Sequence, residues 1–124
     1  MIRLSININK VATLRNSRGG TLPSVTQAAR VCIDAGAHGI TVHPRADERH
    51  ITRYDVPAVA SLLAPFRSKV EFNIEGDPRP DLLQMVRDVR PHSMVKPEGV
   101  VKRSCMGANL KRSEGGRRTI GSGA

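Results

Sequence analysis

A chain of 124 residues gives room for one domain of ordinary size, ~100–150 residues, and not for two. Hydrophobic residues make up 39% and charged residues 25%, a globular balance that excludes wholesale disorder, and the scarcity of aromatics (Tyr54, Phe66, Phe72) makes the core aliphatic. The net charge of +9 invites a nucleic-acid or phosphate reading, but it is uneven: residues 1–92 carry 13 Lys+Arg against 9 Asp+Glu and residues 93–124 carry 7 against 2, so the two parts call for separate explanations. In chain order, IRLSINI (2–8) alternates and is rich in β-formers, which predicts a strand. NKVATLRNSRGGTLP follows, and its NSRGG has loop composition. SVTQAARVCIDAG predicts a helix with a Ser24–Gln27 capping box and a stop at Gly36; Ala28, Val31, Cys32 and Ala35 share a face.

The pattern then repeats. AHGITVH (37–43) predicts a second strand, apolar enough to be covered on both faces, as in a parallel sheet. PRADERHITR is a loop, and DVPAVASLLAPF a helix with Asp55 as N-cap and a stripe of Val56, Val59, Leu62 and Leu63. KVEFNIE (69–75) predicts a third strand. After GDPRP, PDLLQMVRDV predicts a helix turning Leu82, Leu83, Val86 and Val89 inward, ended by Pro91. A fourth strand begins at His92 (HSMV). Three β–loop–α units in series imply a parallel α/β architecture with right-handed crossovers. From residue 93 onward Gly, Ser, Lys and Arg dominate and no period of 3.6 or 2 is sustained, which reads as a basic tail. Cys32 and Cys105 stand far apart without companion ligands, which argues against a disulfide framework or a zinc site. No apolar run approaches ~18 residues and no signal-peptide core is evident, so the expected location is cytoplasmic and no membrane is involved.

The chemistry gathers at the strand ends. Asn7, His43 and Glu75 close the first three strands at spacings of 36 and 32 residues, each near one βα unit of ~30 residues. Parallel strands all point one way, so an amide, an imidazole and a carboxylate emerge on one face, where parallel sheets and barrels carry their sites. That set suits proton transfer. Taken singly, each also has a structural reading: a hydrogen-bonded His, a Glu paired with Arg, an Asn in a turn. Arg15 and Arg18 in the first βα loop, and Arg45, Arg49 and His50 in the second, suit phosphate, which guanidinium binds bidentately; a solvated loop is the plainer alternative. Arg18-Gly19-Gly20 lacks the spacing of a nucleotide-cradling turn, so small phosphorylated ligands fit better.

Three stretches, NINKVATLRNSRGG, AGAHGITVHPRADERHI and EFNIEG, resemble the pyridoxine 5′-phosphate synthase family of vitamin B6 biosynthesis over roughly residues 2–92. The resemblance implies the first three βα units, plus a fourth strand, of a (β/α)8 TIM barrel, assembled as a homo-octamer. It implies condensation of 1-deoxy-D-xylulose 5-phosphate with 3-amino-2-oxopropyl phosphate, without metal or organic cofactor. On this sequence it implies that His43 and Glu75 are catalytic proton acceptors. Asn7 and Arg18 would contact the aminoketone phosphate, and Asn9, Lys10, Arg45 and His50 the sugar phosphate. Many members have Asp-His where this chain has Asn9-Lys10.

The family barrel is about twice this length, in keeping with the ~250 residues typical of such barrels. Residues 1–92 are therefore expected to form the N-terminal half of a synthase domain, and residues 93–124 a tail that is disordered or out of frame. A chain of this extent is expected to be inactive alone. One rival reading is a non-catalytic fragment whose tail binds nucleic acid through charge, although the tail offers no aromatic for base stacking. Another is a different phosphate-sugar barrel enzyme, against which VHPRADERHI and NIEG argue.

Overall fold

The computed structural model describes residues 2–96 and 99–102, and the side chains of residues 2–94. Four parallel strands, β1 (Ser5–Asn7), β2 (Gly39–Val42), β3 (Glu71–Glu75) and β4 (Ser93–Lys96), lie side by side in chain order. A fifth, β5 (Gly99–Lys102), returns antiparallel on β4, within the segment that the sequence assigns to the tail. The expected fourth strand is therefore present. The remainder of the expected tail, residues 97–98 and 103–124, lies outside the described residues.

The alternation of the strands decides the layering. Ile40, Val42, Phe72, Ile74 and Met94 point to one face and are buried. Helices α2 (Val25–Asp34), α3 (Asp55–Leu63) and α4 (Pro80–Val89) cover that face, contributing Val25, Ala29, Val56, Val59, Leu63, Leu82 and Val86 to one aliphatic core around Phe72. The opposite face is polar. Thr41, Asn73 and Ser93 stand in register, and with Ser5, which pairs with Gly39 two residues before Thr41, they form a chain of hydrogen bonds across the four parallel strands: Ser5 Oγ to Thr41 Oγ1 at 2.7 Å, Asn73 Nδ2 to Ser5 Oγ at 3.3 Å, and Ser93 Oγ to Asn73 Oδ1. Full apolar cover on both faces, expected for β2, is thus met on one face only.

Histidine is used twice at the opposite, amino-terminal ends of the strands. His38, just before β2, accepts the Leu4 N–H on Nδ1 at 2.9 Å; His92, just before β4, accepts the Phe72 N–H on Nδ1 at 3.0 Å. The assignment leaves the His92 proton on Nε2, 3.1 Å from the Arg67 carbonyl.

Two local readings are corrected. Residues 9–18 form a helix, α1 (Asn9–Arg18), which takes in Arg15 and the Asn16–Arg18 part of the stretch expected as loop; Asn7 Oδ1 accepts the Asn9 N–H at 2.8 Å just before its start, and Gly19, in the left-handed region at φ 72°, ends it. Arg15 and Arg18 therefore belong to its last turn. In α2 the Ser24 cap forms, accepting the Gln27 N–H at 3.1 Å, and Gly36 and Ala37 donate back to Ile33 and Cys32 as a Schellman stop requires. Its buried face is Val25 and Ala29 with Cys32 and Ile33 packed alongside, whereas Val31 is exposed.

Gly76 follows β3 with φ 148°, and a Cβ built on it would lie 2.7 Å from Leu82 Cδ2, a fully buried atom group. Gly76→Ala is expected to cost ~1–3 kcal/mol from backbone strain, with further loss from displaced Leu82. A urea midpoint indistinguishable from the parent would overturn this.

Candidate active site

At the carboxyl ends of β1, β2 and β3 the Asn7 and Glu75 side chains meet, and the His43 imidazole lies within electrostatic reach of Glu75. Asn7 Nδ2 donates to Glu75 Oε2 at 3.4 Å. Asn7 also starts α1, so that Asn9 is turned towards β2, and Asn9 Oδ1 accepts the backbone N–H of His43 at 2.9 Å. The chain Glu75–Asn7–Asn9–His43 thus links three strand ends. The His43 ring passes close to Gly76, whose constructed Cβ would sit 3.7 Å from its Cδ2. On the other side His43 meets His50, ring centroids 5.7 Å apart at 51°.

The electrostatics favour a neutral His43. Burial lowers its pKa first, Glu75 opposes this, and Arg45 and Arg79 lower it further. His50 is likewise lowered, by burial and then by His43, Arg45 and Arg49. Both imidazoles are therefore uncharged near pH 7 and able to accept a proton. His50 uses its Nδ1 to accept the Ile51 N–H at 2.8 Å, which leaves the proton on Nε2, for which no hydrogen-bond acceptor is found among the described residues. Ile51 is fully buried and anchors this part of the loop. Among the loop charges, Arg45 and Arg49 bind Asp47, whose carboxyl the Arg49 hydrogen bond holds down at about 2.

Two expected residues are placed apart. Lys10 is exposed and lines an apolar groove between α1 and α2, and Arg18 is exposed at the end of α1; among the described residues neither is hydrogen-bonded to the other six. Arg15, an expected phosphate ligand, is instead committed to Asp55, at 2.7 and 2.9 Å through two nitrogens. Asp55 is the first residue of α3 rather than its cap, and its Oδ2 also accepts from the Thr52 amide and hydroxyl. Sequence reasoning missed Arg79. It sits on the loop after β3, donates to the Pro44 carbonyl at 2.8 Å beside His43, and lies 2.7 Å from Asp81 by its Nε. That Nε contact is off the hydrogen-bonding line, so it is an ion pair only. GDPRP as a loop composition gave no sign of this partner.

The pH dependence of stability follows from these shifts. Asp55 is lowered: burial alone would raise it, but the Arg15 and Thr52 bonds outweigh that. For all three groups the unfolded chain binds more protons between the folded pKa and the ordinary value, so stability rises with pH through each window. Acidification should weaken the fold first below the ordinary imidazole value of 6.5, through His43 and His50, and again below 3.8, through Asp55. Urea midpoints at several pH values between 7.5 and 3 check this; a midpoint that rises on acidification from neutrality to pH 5 contradicts it.

A parallel βα sheet that collects an imidazole, a carboxylate and amides at the carboxyl ends of its strands belongs to the class of α/β proteins that build their sites there. The family model described as "Pyridoxal phosphate biosynthesis protein PdxJ" matches residues 4–105, past the His92 at which the recognisable sequence was expected to stop, and the chain belongs to that family. It is 55% identical over 106 residues to a pyridoxine 5′-phosphate synthase of Xanthomonas oryzae pv. oryzae, covering 79% of this chain and 41% of that protein. It is 50% identical over 99 residues to the Leptospira biflexa synthase, covering 73% and 38%, and 54% identical over 94 residues to that of Bacteroides fragilis, covering 76% and 38%. The chain thus spans between 38% and 41% of the length of these relatives. Among the described residues no helix is long and apolar enough to cross a membrane.

Proposed function

We propose that this chain contributes the first part of a pyridoxine 5′-phosphate synthase site. The site would condense 1-deoxy-D-xylulose 5-phosphate with 3-amino-2-oxopropyl phosphate, releasing phosphate and water. The observation that carries this is the Glu75–Asn7–Asn9–His43 chain, which ends on the backbone N–H of His43 and so fixes the strand end that bears an imidazole lowered in pKa by burial and flanked by His50. Condensing an amine with a ketone and closing a ring moves several protons, and His43 and Glu75 are the acceptors. His50 Nε2–H and the Arg45 guanidinium bind the sugar phosphate, Asn9 stands beside it, and Asn7 serves the aminoketone phosphate; the roles of Lys10 beside the sugar phosphate and of Arg18 on the aminoketone phosphate rest on the family resemblance alone, since both lie apart from this cluster. The fold is the opening portion of a (β/α)8 barrel, in keeping with β1 having β2 as its sole strand neighbour among the described residues. Reaction in the cytoplasm, assembly as a homo-octamer and the lack of a cofactor are parts of the same reading.

An open sheet edge leaves the site one-sided, so these 124 residues alone should turn over little substrate. Isothermal titration of the chain with 1-deoxy-D-xylulose 5-phosphate, and with the unphosphorylated sugar as control, tests the binding part. The catalytic part is tested by adding a polypeptide that carries the portion of the Xanthomonas relative beyond the matched residues, and assaying pyridoxine 5′-phosphate. Product from the mixture and almost none from the chain alone is expected. Rapid turnover by the chain alone would defeat the one-sided site, and equal binding of both sugars would defeat the phosphate assignment.

A further inference from the structure

Helix α1 and the β2–α3 loop are joined by a polar clamp that no substrate assignment accounts for. Arg15 and Asp55 side chains are only 14% and 13% exposed, and their pair is bidentate. The same guanidinium donates to the His50 carbonyl at 3.3 Å. The next residue, Asn16, donates through Nδ2 to that carbonyl at 2.9 Å and to the Arg49 carbonyl at 3.2 Å. Two donor groups on one turn of α1 thus converge, through three hydrogen bonds, on the backbone carbonyls of Arg49 and His50. Asp55 completes the frame by accepting the Thr52 amide at 2.8 Å, two residues further on.

The His50 side chain has its own constraint, the Ile51 N–H on Nδ1. With the backbone held by α1 and the ring held by Ile51, only one direction is left for Nε2–H. A charge-assisted pair that is largely desolvated holds one geometry far better than an exposed pair of lysine-like flexibility. Four of the five N–H groups of Arg15 are taken by Asp55, His50 and Asn16, which leaves no paired edge for bidentate binding of a phosphate.

We propose that Arg15, supported by Asp55 and Asn16, is a positioning residue that fixes the His50 imidazole from helix α1, and so couples the segment bearing Asn9, Lys10 and Arg18 to the loop bearing Arg45 and His50. The functional side of this rests on the reading of His50 as a phosphate contact.

Amide exchange and imidazole spectra of the full chain test it, using Arg15→Met, Arg15→Lys and Asn16→Ala. The Ile51 amide should lose at least tenfold protection in Arg15→Met and Asn16→Ala, with part regained in Arg15→Lys. The Leu4 and Phe72 amides, held by His38 and His92, should keep theirs. Addition of 1-deoxy-D-xylulose 5-phosphate should shift His50 Nε2 in the parent chain, with at least tenfold weaker binding in Arg15→Met. Protection at Ile51 that is unchanged, or that falls in step with Leu4 and Phe72, overturns the clamp. If Arg15→Met does not fold, Asn16→Ala decides by the same criterion, since it removes three side-chain hydrogen bonds, one of them from Arg15 itself, at an exposed helix position. A parent chain whose His50 does not respond to the sugar phosphate overturns the phosphate reading instead, and exchange at Ile51 still judges the clamp.

Discussion

Replacing His43 by asparagine in the reconstituted mixture is expected to lower pyridoxine 5′-phosphate formation by ~10²–10⁴-fold, the contribution of a positioned acid–base side chain. Glu75→Gln should fall in the same range. The two should differ in what survives. Asparagine at 43 keeps the backbone N–H that Asn9 accepts, so the strand ends stay in place and substrate binding should change little. Glutamine at 75 can still face Asn7 but no longer takes up a proton. A loss in kcat with KM nearly constant is therefore expected for both. The parent rate should fall on acidification as His43 becomes protonated, with that limb lying below the ordinary imidazole value because burial lowers its pKa. A His43→Asn variant at the parental rate would remove His43 from the chemistry.

Asp55→Ala is expected to be the most damaging single change to stability among the polar residues. It leaves Arg15 charged and shut away with no carboxylate, and strips Thr52 of the acceptor for its amide and hydroxyl. Breaking one side of a buried pair costs about 3–5 kcal/mol, and the slight exposure of this pair puts the expected loss near the lower end. That is a large share of the ~5–15 kcal/mol of a typical domain. Asp55→Asn should cost less, since an amide oxygen can still accept from Thr52. The Arg15→Met, Asp55→Ala double variant should lose less than the two single losses added together. Urea unfolding at pH 7.5 reads all four. Additive losses would mean that the pair does not act as a unit.

Much of this was legible in the sequence because period and register are local or repetitive. Helix α4 is buried through Leu82, Leu83 and Val86, as the spacing predicts. The convergence of Asn7, His43 and Glu75 on one end of the sheet follows from parallel strands repeating at nearly constant intervals, so a one-dimensional spacing becomes a shared face. Helix α1 escaped because its sole buried side chain is Ala12, which leaves no apolar stripe to detect; its signals are Asn7, whose side chain accepts the Asn9 N–H just ahead of the helix, and a left-handed Gly19. The buried face of α2 was displaced because that helix is apolar on two sides, with Val31 on the groove side. Arg15–Asp55 and Arg79–Pro44 join residues 40 and 35 positions apart, and no local pattern announces such partners. Charged residues in loops look alike until the partner is known.

The polar ladder of Ser5, Thr41, Asn73 and Ser93 has a bearing on how such a protein is made. Chains fold from the amino terminus as they are synthesised, at roughly 5–20 residues per second, so early strands wait for later ones. A valine or leucine wall on the uncovered side of the sheet would spend that interval as a sticky surface. Hydroxyls and an amide can spend it hydrogen-bonded to one another and to water, and hydration gives a nascent intermediate time without drawing neighbours into aggregates.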